Sequence, residues 1–289
     1  MNILSLFGGI ECGRVALERA EIPIDKYYSS EVDPYAIKIA NKNYPDIIQL
    51  GDINNIDFTQ FIGKIDLIMG GSPCQNLSIV NKKSRDGLEG DKSKLFYKFV
   101  EAVATIKPKY FLFENVASMN KKDREVISEI LGVKPVLINS ALVSAQTRNR
   151  LYWTNIGKIE QPEDKGIFIK DVLEKYVDGK YYISEKMKGY IFACPSNFTN
   201  NYKINCEKAR PLVTKHDKRA NTTNYYSDDF INGGDKDRIR KLTPLECERL
   251  QTLPDGYTAG LSDTRRYIAI GNGWTVDVIA HILKELTND

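Results

Sequence analysis

Residues 2–20 read NILSLFGGIECGRVALERA, and this stretch decides the fold class. The run NILSL predicts a short buried strand, FGGIECG predicts a glycine-rich turn, and RVALERA has the apolar spacing of a helix. A strand, a glycine turn and a helix in that order open many sheets whose ligands bind at the carboxyl ends of the strands. The turn lacks the G-x-G-x-x-G pattern of dinucleotide-binding proteins, so on spacing alone it fits packing as well as ligand binding.

The alternation of strand and helix continues to about residue 155. Apolar runs predict strands, and segments with apolar residues three or four apart predict the helices between them. The further strands are predicted at 26–33, 47–53, 64–74, 109–116, 134–143 and 150–156, with helices at 34–44, 93–107 and 124–132. This order is typical of an α/β domain with a mainly parallel sheet.

The pattern changes after residue 163 and returns near residue 239. Residues 164–238 are rich in Tyr, Asn, Lys and Asp, which predicts a smaller, irregular, partly β domain. Thr243 with Glu246 three residues on predicts a capping box, and residues 275–286 predict an amphipathic helix. We therefore expect a first domain at 1–163, an inserted domain at 164–238, and a segment at 239–289 that returns to the first.

Composition limits the classes of function. The chain has 289 residues, a net charge of +3, five cysteines without a C-x-x-C pair and only two histidines, which disfavours a disulfide framework, a histidine-based metal site or a histidine triad. The mild positive charge permits nucleic-acid binding without requiring it. No apolar stretch approaches the roughly 18 to 20 residues of a membrane span, so a soluble, cytoplasmic protein is expected.

Acidic residues end two of the predicted strands. Glu31 follows the second strand, where a carboxylate can accept both hydroxyls of a ribose, and Asp52 follows the third, where it can accept from an adenine amino group. With the glycine turn, these acids point to an adenosine-containing cofactor. Two solvated acids at exposed strand ends remain the alternative interpretation.

Three further segments carry side chains that are candidates for catalysis. Cys74 follows Pro73 where the fourth strand ends, at the edge of the sheet that carries function; most lone cysteines are buried and inert. Glu114 follows an aromatic run, where a carboxyl that keeps its proton would donate to a ring nitrogen, although an acid near a helix start is the plainer interpretation. Arg148 and Arg150 share one face if they lie on a strand, and a solvated pair is the alternative.

Nine motifs in order resemble those of the DNA cytosine-5 methyltransferases. They cover residues 1–155 and 239–285, and serine in GGSPC, LSIVN after it and the late GNGWTV are similar to the branch that contains the animal de novo enzymes. The chain as a whole resembles the bacterial and phage members of the family. The motifs are SLFGGIECG, SEVDPYA, GDI, GGSPCQNLS, LF, FENV, QTRNR, LTPLECERLQTLP and AIGNGWTV.

The resemblance implies a Rossmann-like, S-adenosylmethionine-dependent sheet with a small, irregular target-recognition domain inserted. It implies that Cys74 adds to C6 of a cytosine flipped out of double-stranded DNA. Glu114 would hold the N3 edge of the base, and Arg148 and Arg150 would stabilise the surroundings of the thiolate and bind the O2 atom of the cytosine. S-adenosylhomocysteine is the product and no metal is needed. The implied cofactor contacts are Phe7, Gly9, Ile10, Glu31, Val32, Asp52, Ile53, Pro73, Leu95, Asn272 and Trp274.

The chain also departs from the family pattern. Glu11 and Cys12 occupy positions where many members have glycine, and the middle domain is short. A tRNA cytosine-5 methyltransferase and a non-catalytic DNA-binding scaffold remain alternatives. The sequence leaves open the recognition site, the oligomeric state, a separate restriction endonuclease as partner, and the roles of Cys12, Cys194, Cys206 and Cys247. It also leaves open whether the biological role is restriction–modification, phage protection or an orphan mark, and a bacterial or phage-infected cytoplasm is the expected location.

Overall fold

The computed structural model describes residues 1–72, 95–192, 204–212 and 224–287. Contacts divide the chain into two compact units. The first comprises Met1–Asn139, Asn149–Pro162 and Val276–Asp289, and the second comprises Ser140–Arg148 and Glu163–Thr275. This division differs from the domain limits expected from sequence, because residues 239–275 group with the second unit and only the last helix groups with the sheet.

A seven-stranded sheet organises the first unit. Its strands are β1 (Asn2–Leu6), β2 (Lys26–Ser30), β3 (Ile48–Gln49), β4 (Leu67–Gly70), β5 (Tyr110–Val116), β6 (Val136–Asn139) and β7 (Asn149–Thr154), in the order β3-β2-β1-β4-β5-β7-β6. The pairs among β1 to β5 are parallel, whereas β7 runs antiparallel between β5 and β6. The predicted α/β class with a mainly parallel sheet is confirmed.

Ten α-helices lie in the described residues, and local capping explains where several of them begin. They are α1 (Cys12–Arg19), α2 (Pro34–Asn43), α3 (Leu95–Ile106), α4 (Lys121–Leu131), α5 (Ile169–Val172), α6 (Glu185–Phe192), α7 (Asp228–Asn232), α8 (Pro244–Leu250), α9 (Asp263–Asn272) and α10 (Val276–Leu283). Asp33 accepts from the N–H of Tyr35 at the start of α2. Helix α4 begins three residues earlier than predicted because the Asn120 side chain accepts from the N–H of Asp123.

Aromatic packing fixes the core between α3 and β5. The Phe113 ring lies 5.2 Å from that of Phe96 and 4.9 Å from that of Phe99, measured between centroids. The helical spacing of the sequence predicts one buried face through Leu95, Phe99, Val103 and Ile106. Phe99 and Ile106 are buried, whereas Leu95 and Val103 are only half-buried and Phe96 is fully buried. The phenylalanine rings occupy the buried positions against Phe113 because their burial removes more apolar surface from water.

The second unit is held by a buried ion pair beside a two-stranded ribbon. Strands β8 (Tyr225–Ser227) and β9 (Ile239–Lys241) pair antiparallel. Arg240 on β9 donates to both oxygens of Glu246, at 2.7 and 2.9 Å, and both side chains are at most 1% exposed. Glu246 also accepts from the Thr243 N–H at 2.7 Å, so the predicted capping box at the start of α8 is confirmed. Losing one partner of such a pair strands a buried charge, at a cost of about 3–5 kcal/mol.

A membrane crossing finds no support in this fold: among the residues described, every helix is too short or too polar to span a bilayer.

Candidate active site

The sheet register lines up the predicted site residues of the first unit. Leu6 pairs with Ser30 on one side and with Gly70 on the other, and Gly70 pairs with Phe113. The residues one step beyond this row are Phe7, Glu31, Gly71 and Glu114. Two carboxylates predicted from sequence, far apart in the chain, therefore reach the same edge of the sheet, where α/β proteins bind ligands.

The glycine turn after β1 anchors Glu31. The Gly9 N–H donates to Glu31 Oε2 at 2.7 Å, and the N–H groups of Val32 and Asp33 donate to Oε1 at 2.7 and 2.9 Å. Gly9 has φ +59°, a left-handed conformation that suits glycine. Oε2 accepts only one of the three bonds and keeps a second lone pair with which to accept from a hydroxyl.

The side chains next to Glu31 suit an adenosine. Val32 is 66% exposed, which leaves an apolar surface beside an oriented carboxylate. Asp52 accepts from the N–H and the side-chain amide of Asn54, both through Oδ1, so its other oxygen keeps its acceptor capacity. An apolar surface and two hydrogen-bond acceptors, one for a ribose and one for an amino group, at adjacent strand ends suit an adenosine-containing cofactor.

Other predicted cofactor residues differ in their exposure. Phe7, with φ +61°, is half-buried, and Leu95 is half-buried at the start of α3. Ile10 and Ile53 are 1% and 4% exposed, so their side chains support the turns from beneath. Residues 73 and 74 (Pro73 and Cys74) lie outside the described residues.

Glu114 is buried on β5 and paired with another of the predicted site residues. Arg150 Nε lies 2.8 Å from Glu114 Oε1. Glu114 is directly opposite Tyr152 of β7, and Arg150 is two residues from Tyr152, so the two charged side chains lie on one face as a diagonal pair. The ion pair orients the carboxylate at the carboxyl end of a central strand.

Arg148 has different surroundings from Arg150. It precedes β7, is 4% exposed, and its guanidinium donates to the carbonyl oxygens of Leu212 at 3.1 Å, Gly271 at 3.3 Å and Gly273 at 3.1 Å. These contacts lie within the second unit. The two arginines thus do not form one cluster on a shared strand, and Arg148 stabilises the turn after α9.

That turn carries the last two predicted cofactor residues. Gln251 donates to the carbonyls of Ile270 and Gly273, both at 3.0 Å, and accepts from the Thr275 hydroxyl at 2.8 Å. With the turn held from inside, Asn272 is exposed and Trp274 half-buried.

Sequence reasoning missed two polar supports. Gln146 is fully buried, where its side chain accepts from the Leu212 N–H at 2.7 Å and donates to the Leu250 carbonyl at 3.1 Å. Asn115, 1% exposed, donates to the Ser72 carbonyl and hydroxyl at 3.4 Å, just before the Pro73–Cys74 segment begins. Both belong to quoted motifs, QTRNR and FENV. Asn115 was recognisable as a polar residue in an apolar strand, whereas the polar neighbours of Gln146 gave no such signal.

The cysteines and acids of the described residues are dispersed. In those segments no group of three or more His, Cys, Asp or Glu side chains is arranged to hold a metal ion. Cys12 and Cys247 are buried cysteines outside any disulfide, and burial raises the pKa of Cys247 well above its usual range, which suits a packing role. Cys194 lies outside the described residues.

Comparisons with known proteins agree with the motifs and the fold. The family model for the C-5 cytosine-specific DNA methylases matches residues 1–288. The type II methyltransferase M.HpaII of Haemophilus parainfluenzae is 30% identical, over 99% of this chain and 90% of that protein. The orphan methyltransferase M.SPRI of Bacillus phage SPR is 26% identical, over 99% and 97%. The solved structure of the Entamoeba histolytica methyltransferase EhMeth has a TM-score of 0.80 at 18% identity, over 100% of this chain and 98% of that one, a likeness of fold alone.

Proposed function

The chain belongs to the C-5 cytosine-specific DNA methylases, a family that uses S-adenosylmethionine, and from this premise we propose that it methylates C5 of a flipped-out cytosine in a short, specific sequence of double-stranded DNA. The observation that best supports the proposal is the row of strand ends in which Glu31 and Glu114 stand, with Arg150 fixing Glu114. One carboxylate suits a ribose and the other the hydrogen-bonding edge of a base.

Cytosine C5 is a poor nucleophile, and this chain's residues would change that. The Cys74 thiolate forms a bond to C6, and the electron pair of the 5,6 double bond moves to C5. Glu114, oriented by Arg150, would accept from the exocyclic amine and share a proton with N3. This hydrogen bonding spreads the charge that builds on the ring as Cys74 adds.

S-adenosylmethionine, when bound, supplies the methyl group that C5 takes. Glu31 would hold its ribose, Val32 its adenine face and Asp52 the adenine amino group, and Asn272 and Trp274 keep the role of cofactor contacts by the family match. Loss of the C5 proton to solvent and expulsion of the Cys74 thiolate then restore the double bond. The products are 5-methylcytosine and S-adenosylhomocysteine.

The two arginines would have separate roles. Arg150 contacts Glu114 and would touch the base, so we assign it to catalysis. Arg148 donates to three backbone carbonyls, so we assign it to positioning of the turn that carries Asn272 and Trp274. The domain roles follow the family pattern: catalysis by the sheet and recognition of DNA by residues 164–238.

The relatives suggest two biological settings. M.HpaII is named a type II methyltransferase and M.SPRI an orphan methyltransferase, so we propose that this chain either accompanies a separate restriction endonuclease or marks DNA alone. Protection of phage DNA is one form of the second role.

Methylation of defined substrates tests the proposal. Purified protein is incubated with labelled S-adenosylmethionine and unmethylated DNA, and in a parallel reaction with tRNA, and modified positions are read by sequencing that detects 5-methylcytosine. Label at one short DNA motif supports the proposal and identifies the recognition site. Label in tRNA alone would replace the DNA substrate, and no label in either, with cofactor bound, would favour a non-catalytic scaffold.

A further inference from the structure

A buried carboxyl group lies directly beneath the turn that anchors Glu31. Glu11 is 0% exposed, and its carboxyl oxygens accept from the Tyr27 hydroxyl at 2.7 Å, the Ser5 hydroxyl at 3.2 Å and the Ser29 hydroxyl. These partners come from β1 and β2, the two strands whose ends form the predicted cofactor site. Hydroxyls both donate and accept, so this network can hold the carboxyl with or without its proton.

Glu11 is bonded to the glycine turn through its backbone and packs against it through its side chain. Its N–H donates to the Gly8 carbonyl at 2.9 Å, and its backbone is left-handed, with φ +61°. A Cβ added to Gly8 would lie 2.0 Å from Glu11 Oε1, so the carboxyl packs against the turn itself. The next residue, Gly9, donates to Glu31. The glycine turn therefore contacts the Glu11 carboxyl through Gly8 and the predicted ribose acceptor, Glu31, through Gly9.

The charges around Glu11 do not neutralise it. In the described part of the chain, none of the ion pairs includes Glu11, and the nearby carboxylate of Glu31 disfavours a second negative charge. Arg14 on α1 is engaged elsewhere: it stacks over the Tyr27 and Tyr44 rings and pairs with Glu18 and Asp46.

Helix α10, which packs on α1, brings no charge to Glu11 either. Asp277 pairs with Arg19, and His281 hydrogen-bonds the Glu160 carbonyl. Burial, partly offset by the three hydroxyls, raises the pKa of Glu11 from 4.5 to about 7.

Building on the proposed function, we propose that Glu11 is a positioning residue that releases its proton to solvent when S-adenosylmethionine binds, so that binding of the sulfonium cofactor strengthens as pH rises. The cofactor's sulfonium is a cation, whereas S-adenosylhomocysteine has a neutral sulfur. A cation held at this turn favours the ionised carboxylate, and by reciprocity the ionised carboxylate favours the cation. The coupling discriminates substrate from product by charge, and a Coulomb interaction in a partly buried site makes a change on the order of tenfold in affinity reasonable.

Binding measurements on the full chain without DNA test this coupling. The dissociation constants of S-adenosylmethionine and S-adenosylhomocysteine are measured by calorimetry from pH 6 to pH 8.5, for the wild type, Glu11→Gln and the control Glu21→Gln. Glu21 is an exposed carboxylate just after α1. Subtracting the Glu11→Gln profile removes the titration of each ligand's own amino group.

We expect S-adenosylmethionine to bind the wild type and Glu21→Gln about fivefold more tightly at pH 8.5 than at pH 6, relative to Glu11→Gln, because part of the tenfold coupling is already present at pH 6. The change for S-adenosylhomocysteine should be clearly smaller. A wild-type profile that matches Glu11→Gln, or equal slopes for both ligands, overturns the inference. Calorimetry of the wild type in two buffers of different ionisation enthalpy counts the protons released; a count of zero near pH 7 overturns it even if Glu11→Gln does not fold. If neither ligand binds at any pH, the proposed function itself fails.

Discussion

Replacement of Glu11 by glutamine should remove a pH dependence from the stability of the cofactor-free protein. The folded-state pKa of Glu11, about 7, lies above its unfolded value of 4.5, so the folded protein binds this proton more tightly. The stabilisation is therefore complete below pH 4.5 and is lost as pH rises through 7. A shift of this size is worth about 3 kcal/mol in the free energy of unfolding.

Urea denaturation at pH 5, 6, 7 and 8 measures this contribution as the difference between the wild type and Glu11→Gln. We expect the wild type to lose about 2.5 kcal/mol relative to the variant across that range, since part of the contribution is already lost at pH 5 and every other titrating group cancels in the difference. Glutamine keeps the size of the side chain, and Glu21→Gln controls for the loss of one surface charge. A difference that stays constant with pH would refute a buried, proton-binding Glu11.

The proposed chemistry and the split of the two arginines give three further predictions. Cys74→Ala should abolish methyl transfer with cofactor affinity retained, whereas Cys206→Ala should keep both; labelled-methyl transfer and calorimetry decide, and residual transfer by Cys74→Ala would sink the covalent mechanism. Glu114→Gln should lower kcat at least 100-fold at unchanged cofactor affinity, within the range of general acid–base catalysis, and single-turnover kinetics measure it; a kcat within tenfold of the wild type would remove Glu114 from the chemistry. Arg148→Met should cost about 2–4 kcal/mol of stability because three carbonyls lose a charged donor, while exposed Arg265→Met should cost under 0.5 kcal/mol; equal denaturation midpoints would contradict the positioning role.

Strand and helix order in the first unit was predictable because each element there has its own periodicity. Strand β1 begins and ends where NILSL predicts, and β5 within one residue of its prediction. The antiparallel direction of β7 was not predictable, since an apolar run has the same pattern in either direction. On α3, spacing correctly predicted that Phe99 and Ile106 are buried, but Phe96 rather than Leu95 is fully buried, a choice made by packing and not by spacing.

Long-range partners explain the part of the site that the sequence did not reveal. Glu31 and Glu114 were recognisable because a strand end marks each of them. Glu11 was visible only as a departure from a glycine pattern, since the three hydroxyls that hold it are contributed by two strands. The sequence shows a charged residue in the turn, but only the fold shows that it is buried.

The motif QTRNR shows how one short stretch can serve folding and chemistry at once. Gln146 and Arg148 satisfy backbone groups of the second unit, which leaves those carbonyls and N–H groups partnered inside the protein. Arg150 lies two residues further along, on β7, and its side chain is on the same face of the sheet as Glu114. Loss of activity after a change at Arg148 would therefore not identify a catalytic group. The two cases separate by measurement: a change at Arg150 should lower kcat of the folded protein, whereas a change at Arg148 should lower the free energy of unfolding.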